Sequence, residues 1–425
     1  MSGSDYEPIA RFSRRTAGSM LLGAIGSLML PQRGVFADGS ASQLKPFRVN
    51  IPRAKIDHII ERVRAAEWPD RMDADDWRYG ANWDYMRSLA RYWVEQFDWR
   101  KAEAKLNRHP QFLAHVADYD IHFYYVKGRG PKPMPLILTH GWPGSVFEFL
   151  EAIGPLSDPA SFGGSADDAF DVIVPSIPGY GFSSKPSGRP IGPATTATLW
   201  NTLMTKVLGY SKYGAQGGDL GYRVTVQLGR ACPESLIGIH LNDIGEYLAL
   251  PAENELTAEE RAWLHDADAE WKLDSGYYDE QHTRPQTAAF ALADNPLGTA
   301  AWIVEKLKLW SDSPDGREPV FTKDQVLTEV MIYLVTDSIG SSIWFYRGLD
   351  DDPILKGRVD VPTGVVYLPR EMLSFKPPKS VLERNFNLVR FTQLAKGGHF
   401  AFWEQPVAMV EDVRQFFRTL RTPPR

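Results

Sequence analysis

The chain has 425 residues, of which 43% are hydrophobic, and a net charge of −6 with acidic and basic residues interspersed. A chain of this length and composition can bury a large core, and the lack of a basic face argues against a nucleic-acid partner. Cys232 is the only cysteine, which excludes an internal disulfide and a cysteine metal cluster. The nine histidines lack metal-ligand spacing, so the sequence predicts no metal site.

The first 37 residues have the pattern of a cleavable signal segment. Arg14 and Arg15 precede an uncharged stretch at 16–30, and residues 35–37 fit a cleavage site. The paired arginines resemble a twin-arginine export signal. Because the apolar run is shorter than the roughly 20 residues that span a bilayer, no stable membrane anchor is expected. We therefore expect an exported protein, periplasmic or extracellular.

The pattern of residues 47–106 predicts helices that are rich in aromatic side chains. Ile56, Ile59 and Val63 recur at helical spacing, and a second amphipathic helix is predicted at 83–97. An amphipathic layer of this kind needs another surface to pack on.

The middle of the chain alternates between strand-like and helix-like segments. Short apolar runs predict strands at 119–126, 134–139, 170–175, 210–215 and 236–241. Helices are predicted between or after them at 146–153, 194–208 and 222–228. This alternation predicts an α/β fold with a doubly wound, mostly parallel sheet.

The periodicity changes after Asp243. From 253 to about 336 the pattern is helical and rich in tryptophan, which indicates a helical lid inserted into the fold. Strands are again predicted at 364–368 and 388–394, followed by an amphipathic helix at 407–420. The sheet is therefore predicted to be completed from both sides of the insertion.

The sequence Gln-Gly-Gly-Asp-Leu-Gly at 216–221 lies where a predicted strand turns into a predicted helix. Small residues two places either side of Asp219 are typical of a nucleophile elbow, although aspartate is also common in glycine turns without any function. Serine is usual at this position, yet serine attack on a saturated carbon would leave an ether that water does not readily cleave. A carboxylate leaves an ester, which water can cleave, so Asp219 is predicted to attack a carbon of this kind.

The sequence His-Gly-Trp-Pro-Gly-Ser at 140–145 directly follows the predicted strand at 134–139. A turn of this composition that opens a helix can direct a backbone N–H group at a reacting oxygen. The motif alone is compatible with a simple tight turn, but its place before the elbow favours an oxyanion loop.

Chain order is a second test of the elbow, because the acid and then the histidine follow the nucleophile in hydrolases of this kind. His399 lies in a glycine-rich loop just after the last predicted strand. An ionised Asp219 needs no base for its own attack, whereas His399 can take a proton from the water that later attacks the ester. Glu371 and Asp243 are the two candidates for the acid that orients His399.

A family likeness is carried by FRVNIPRAKIDHIIERVRAAEWPD, WRYG, YWVEQFDWRKAEAKLNRHPQF, and GGHF followed by WEQP. These stretches resemble the microsomal-type epoxide hydrolase family, and the resemblance runs from about Phe47 onward. It implies an α/β-hydrolase fold in which an N-terminal helical segment wraps around the hydrolase domain. The implied domains are a signal segment at 1–37, the N-terminal region at 46–127, the hydrolase core at 128–245 and 341–425, and the lid at 246–340.

The resemblance also implies roles for single residues. The acid of the family aligns with Glu371, which favours it over Asp243. Tyr277 in Asp-Ser-Gly-Tyr and Tyr346 in Trp-Phe-Tyr-Arg fall where the family places its two ring-opening tyrosines. A phenol with a pKa near 10 can hydrogen-bond to the alkoxide formed by ring opening or protonate it.

The leading hypothesis is an epoxide hydrolase that needs no cofactor and converts a small apolar epoxide and water into a vicinal diol through an ester on Asp219. The backbone N–H groups of Trp142 and Leu220 would form the oxyanion hole. One alternative is a haloalkane-type dehalogenase with the same nucleophile, but those enzymes typically carry tryptophan where this chain has Leu220. Another is an exported, non-catalytic protein that binds apolar ligands. The sequence leaves a homodimer open.

Overall fold

The computed structural model describes residues 44–72, 76–245, 248–313 and 318–421, so the predicted signal segment lies outside the described part. The strands are β1 (Lys45–Phe47), β2 (Gln111–Val116), β3 (Tyr119–Val126), β4 (Met134–Thr139), β5 (Phe170–Pro175), β6 (Tyr213–Gly217), β7 (Leu236–Leu241), β8 (Val359–Tyr367) and β9 (Phe386–Gln393). They form one sheet in the order β1-β2-β3-β5-β4-β6-β7-β8-β9.

The sheet is parallel from β5 to β9 and antiparallel at its other end. β4 pairs in parallel with both β5 and β6, and β6 to β9 continue in parallel. β1, β2 and β3 pair antiparallel, as does β3 with β5. Every residue of β5 and β6 is buried, as expected for strands covered on both faces. The predicted mostly parallel sheet is confirmed, and the carboxyl ends of β4, β6, β7 and β8 meet along one edge.

The helices are α1 (Arg53–Arg64), α2 (Trp83–Glu95), α3 (Trp99–Leu106), α4 (Leu150–Ser157), α5 (Pro193–Thr202), α6 (Leu220–Ala231), α7 (Ala258–Asp274), α8 (Gly276–Thr283), α9 (Pro285–Leu292), α10 (Pro296–Leu309), α11 (Lys323–Val335), α12 (Ile339–Asp351), α13 (Lys379–Asn385), α14 (Ala401–Glu404) and α15 (Pro406–Arg421). Beside the sheet, α4 packs with α15 and α5 packs with α6. Helices α7 to α12 form the insertion between β7 and β8. Across the described ranges, no single helix is long and apolar enough to cross a bilayer, and only α11 and α12, bent by 86°, meet that test as a pair.

The N-terminal segment connects the sheet to the inserted helices. Its strand β1 pairs with β2, while α1 contacts α10 and α11, and both α2 and α3 contact α11. Arg62 forms an ion pair with Asp294 at 2.7 Å, and the Tyr92 hydroxyl donates to Asp324 at 2.9 Å. The segment therefore packs against the lid as well as against the hydrolase core.

Four strands have the bounds that the sequence predicts, namely β3, β4, β5 and β7. The strand predicted at 210–215 is shifted toward the elbow and forms β6. Strands β1 and β2 were missed. β2 is joined to β3 by the two-residue turn Ala117-Asp118, in which Ala117 has a φ of 51°, a conformation that alanine does not signal in a sequence.

Helix bounds differ more from the predictions. The helix predicted at 83–97 ends at Glu95, and α3 follows because the Asp98 side chain accepts a hydrogen bond from Arg100 N and caps a new helix. The helix predicted at 146–153 begins instead as a 3₁₀ turn at Val146–Phe149. Beyond Thr202, the helix predicted at 194–208 continues as a π turn, Leu203–Val207.

Candidate active site

Asp219 lies between β6 and α6 with a φ of 50° and a ψ of −123°. A positive φ is unfavourable for aspartate and marks a sharp turn that projects its side chain beyond the end of the strand. A Cβ atom on Gly217 would lie 2.1 Å from the carbonyl oxygen of Gly221, and one on Gly221 would lie 2.0 Å from that of Thr139. The glycines of the elbow are therefore required by close backbone contacts.

The Asp219 carboxylate is held from two sides. Its Oδ1 accepts a hydrogen bond from Trp142 N at 2.8 Å, and its Oδ2 lies 3.5 Å from His399 Nε2. A Cβ atom on Gly141 would lie 2.2 Å from Oδ1, so the loop at 140–145 can approach only because glycine stands there. Burial acts to raise the pKa of Asp219, but His399, Arg223 and the Trp142 N–H group together lower it below its ordinary value. The ionised form of Asp219 is consequently favoured at neutral pH.

His399 links the carboxylate of Asp219 to that of Glu371. Its Nδ1 lies 2.9 Å from Glu371 Oε2, and its backbone N–H group donates to the Trp310 carbonyl at 2.8 Å. Burial acts to lower the pKa of His399, but Glu371, Asp243 and Asp219 raise it well above its ordinary value. These carboxylates therefore favour the protonated, imidazolium form of His399.

The second candidate acid, Asp243, also lies at this site. Its Oδ2 accepts from Asn242 Nδ2 at 2.5 Å, and burial together with the charge of Glu371 raises its pKa well above the ordinary value. The structure thus brings both acids together, and the Nδ1 contact is made by Glu371. Donor atoms of Asp243, Glu371 and His399 lie within 4.8 Å of one another, a spacing that a metal ion could use, but the hydrogen bond between His399 and Glu371 already occupies two of these groups.

The two predicted tyrosines contact each other, and both contact the indole of Trp142. Tyr277 lies on α8 and Tyr346 on α12, with ring centroids 6.1 Å apart. Trp142 stacks on Tyr277 at 5.6 Å and contacts Tyr346 edge-on at 6.0 Å. The Tyr346 hydroxyl is buried with no hydrogen-bond partner among the described residues, and burial, Tyr277 and Asp219 raise its pKa well above the ordinary value. Tyr346 therefore keeps its proton and can donate it in a hydrogen bond.

Glu148 is a site residue that the sequence analysis missed. It lines a cavity of about 20 Å³ with Asp219 and His399, a volume that suits one water molecule. Burial raises the pKa of Glu148 to about 8, with His399 opposing and Asp219 adding to the shift. A Cβ atom on Gly144 would lie 1.3 Å from Glu148 Oε1. In the sequence, the spacing of Gly144 four residues before Glu148, in an otherwise apolar turn, could have indicated this close contact.

Leu220, the other predicted oxyanion donor, is the first residue of α6 and has a fully buried side chain. Its backbone N–H group directly follows Asp219 at the helix N-terminus. This position is the usual one for the second donor of an oxyanion hole beside a nucleophile elbow.

Residues 44–149 match the family described as "Epoxide hydrolase N terminus". A Stigmatella aurantiaca protein whose name includes the words epoxide hydrolase is 39% identical over 379 residues, covering 89% of this chain and 86% of that protein. Epoxide hydrolase 1 of Sus scrofa is 32% identical over 413 residues, covering 89% of both chains. The structure of Aspergillus niger epoxide hydrolase superimposes with a TM-score of 0.79 at 29% identity, covering 89% of this chain and 97% of the fungal one. With an aspartate elbow and a matched fold along nearly its whole described length, the chain belongs to the epoxide hydrolase family.

Proposed function

We propose that this protein hydrolyses an apolar or aryl epoxide to a vicinal diol through a covalent ester on Asp219. The observation that carries the proposal is the position of one ionised carboxylate between the Trp142 N–H group and His399, below two facing tyrosines. An α/β-hydrolase that acts on esters has no need of a carboxylate nucleophile or of paired phenols.

In the first half-reaction, Asp219 attacks a ring carbon and the carbon–oxygen bond breaks. The electron pair remains on the oxygen, which takes a proton from a tyrosine and a hydrogen bond from its neighbour. Tyr277 and Tyr346 are the phenols at this position. No base is needed in this half, because Asp219 is already ionised.

In the second half-reaction, His399 takes a proton from water as the hydroxide adds to the ester carbonyl. Ester formation removes the negative charge of Asp219 from beside His399, and so removes one of the groups that raise the histidine pKa. The imidazolium can then release its Nε2 proton to solvent and act as a base while Glu371 accepts from Nδ1, and it takes a proton back from solvent once Asp219 is freed. Water supplies two protons: one goes to the diol oxygen that leaves Asp219, and the other restores the tyrosine.

The oxyanion of the tetrahedral intermediate would be held by the backbone N–H groups of Trp142 and Leu220. Trp142 N already donates to Asp219 Oδ1. Preorganised donors of this kind contribute on the order of 3 kcal/mol each to the transition state.

The substrate class is inferred from the walls around Asp219. Trp142, Trp310 and Tyr277 are mutually packed, and Trp271 contacts both Tyr277 and Phe375. Such walls favour aryl and long alkyl epoxides over polar ones, because apolar substituents lose unfavourable contact with water on binding.

The mechanism is tested by one turnover in ¹⁸O-labelled water with the protein in excess over styrene oxide. We expect an unlabelled diol and one ¹⁸O atom in the peptide that contains Asp219, since the carboxylate supplies the diol oxygen. Label in the diol would contradict an ester intermediate. The Asp219→Ala variant is the control and should form no diol from any member of an aryl and alkyl epoxide panel.

Bromide release from bromoalkanes is measured beside diol release. The indole Nε1 of Trp142 is buried without a hydrogen-bond partner in the described ranges, and a halide ion is stabilised by such a donor. Release of bromide that depends on Asp219, without diol formation, would favour the dehalogenase alternative.

We further propose that the chain is exported through its leader, which lies outside the described residues. The support is the Arg14-Arg15 pair before the uncharged stretch at 16–30. Expression of the full chain in a bacterium with a twin-arginine system should place the protein outside the cytoplasm. Replacing both arginines by lysine should retain it inside, and equal export of the two forms would rule out the twin-arginine assignment.

A further inference from the structure

A buried lysine lies beneath the lid tyrosine. Lys306, on α10, is only 2% exposed, and its Nζ lies 2.6 Å from Asp274 Oδ1 and 3.3 Å from Glu305 Oε2. Asp274 also accepts a hydrogen bond from Trp310 Nε1 at 2.7 Å. A buried ammonium group is strongly unfavourable without a carboxylate partner, so this arrangement keeps the charge in place.

The ammonium group lies against the ring of Tyr277. Its Nζ is 4.7 Å from the Tyr277 ring centroid and 5.5 Å from that of Trp310. A cation at this distance is attracted to a neutral phenol, and more strongly to a phenolate, because the phenolate carries a full negative charge. Burial, Tyr277 and Asp219 raise the pKa of Tyr346 well above its ordinary value, and Arg223 opposes this shift without reversing it. The two tyrosines therefore differ in their electrostatic surroundings.

We propose that Lys306 stabilises the phenolate of Tyr277, so that Tyr277 transfers its proton to the opened ring oxygen while Tyr346 donates only a hydrogen bond. This inference rests on the proposed epoxide hydrolysis. As the carbon–oxygen bond breaks, its electron pair stays on oxygen, the Tyr277 proton moves there, and the phenolate persists until the second half-reaction restores it. Lys306 does not touch the reacting atoms and is a positioning residue.

Several ionisable groups near Tyr277 can influence the pKa of its phenol. They are Asp274, Glu305 and Lys306 on the lid side, Asp219 and His399 beyond Trp142 and Trp310, and the neighbouring phenols Tyr278 and Tyr346. Among these, Lys306 is the group whose cation lies over the ring face. Its removal should therefore disfavour the phenolate.

The first test measures the rate of ester formation by rapid quench with excess protein. Lys306→Met keeps the length of the side chain without its charge, and we expect ester formation to slow by about tenfold, or 1.4 kcal/mol. The same change in a Tyr277→Phe background should have no further effect, whereas in a Tyr346→Phe background it should have its full effect. Equal slowing in all three backgrounds would show a general structural role and overturn the proposal.

The matched control is Lys308→Met, which replaces another buried lysine on the same helix and should leave ester formation unchanged. Because Lys306→Met leaves Asp274 unpaired, the double variant Lys306→Met/Asp274→Asn removes both charges while keeping an acceptor for Trp310. It should slow ester formation as Lys306→Met does, and a normal rate in the folded double variant would contradict the role of Lys306.

The second test needs no turnover. The tyrosinate absorbance near 295 nm is titrated in the wild type and in Tyr277→Phe, and the difference isolates Tyr277. In Lys306→Met the Tyr277 midpoint should rise by about one pH unit, and an unchanged midpoint would overturn the proposal. If no epoxide yields an ester with the wild type, the proposed function fails, while the titration still decides the effect of Lys306 on Tyr277.

Discussion

The protonation state of His399 should differ between the two halves of the proposed reaction. In the free protein, Glu371, Asp243 and Asp219 raise its pKa well above the ordinary value, which favours an imidazolium facing the ionised Asp219. In the proposed mechanism, this ion pair keeps Asp219 ionised and keeps His399 from acting as a base before the ester forms. Formation of the proposed ester would remove one carboxylate from this cluster, so the base would become available only when there is an ester to cleave.

The two half-reactions should therefore differ in their dependence on pH. The pKa of Asp219 is lowered, so the rate of ester formation should change little between about pH 5 and pH 8. Ester cleavage needs a neutral His399 and should slow as pH falls through the histidine pKa of the ester form. Rapid-quench measurements at several pH values should find more accumulated ester at low pH. Parallel pH profiles for the two steps would argue against this account.

Glu148 provides a separate test of the water cavity. With a pKa of about 8, its carboxyl group is protonated at neutral pH and can hold the attacking water beside His399. In Glu148→Gln, ester cleavage should slow by about tenfold while ester formation is retained, because only the water is displaced. Single-turnover kinetics separate the steps, and the exposed neighbour Glu151→Gln is the control. Slowing confined to ester formation would contradict this role.

At the scale of single elements, helices begin where side chains accept hydrogen bonds from the free backbone N–H groups of the first turn. The N-terminus of α7 is closed by a capping box in which Thr257 and Glu260 exchange hydrogen bonds. Glu260 also accepts from Ser380 at 2.7 Å and Arg384 at 3.0 Å, both on α13. This single carboxylate thus links the first long lid helix to a helix of the core that follows the lid.

Replacing Glu260 with glutamine should destabilise the protein in a pH-dependent way. Burial acts to raise the pKa of Glu260, but Thr257 N–H, Ser380 and Arg384 lower it to about 2 from an ordinary value of 4.5. Because the folded-state pKa is depressed, the stabilisation is present above pH 4.5 and is lost as pH falls toward 2. Urea unfolding should show a loss of about 1–3 kcal/mol at pH 7 that shrinks in acid. The control is the exposed Glu259→Gln, and a loss independent of pH would refute the argument.

The sequence predicts those elements whose bounds depend on the composition of the segment itself. β4 and β5 are short apolar runs, and buried parallel strands require little else. Asp219 and His399 were found because close backbone contacts demand glycines next to them, which leave a visible motif. Helix ends at Glu95 and Thr202 were missed because they depend on a cap and a π turn, which periodicity does not register.

At the scale of the whole molecule, the site is assembled from distant parts of the chain. Asp219 follows β6, Glu371 follows β8, and the tyrosines come from the inserted helices. Glu148 and Lys306 were not predicted, since their importance arises only when the turn Val146–Phe149 folds beside Asp219 and α10 packs against Tyr277. The choice between Glu371 and Asp243 was likewise set by family likeness, because packing brings both carboxylates to His399.

The contact between the N-terminal helices and the lid should contribute strongly to the free energy of unfolding. Trp93 on α2 is 1% exposed and lines the same surface pocket as Met331 of α11. Trp93→Ala should cost about 3–5 kcal/mol and make the lid more sensitive to proteolysis. Trp83→Ala, on the less buried side of the same helix, should cost much less. Equal losses measured by urea unfolding would contradict a specific role for this contact.

The N-terminal segment has a practical consequence for protein engineering. Since α1, α2 and α3 contact α11 while β1 extends the sheet, a lid grafted from a relative would meet a foreign surface on both sides. Chimaeras that exchange only residues 248–351 should express poorly, whereas those that also exchange residues 44–106 should recover soluble yield. The unit that can be transplanted to change substrate preference is therefore discontinuous in sequence, with one part at each side of the nucleophile.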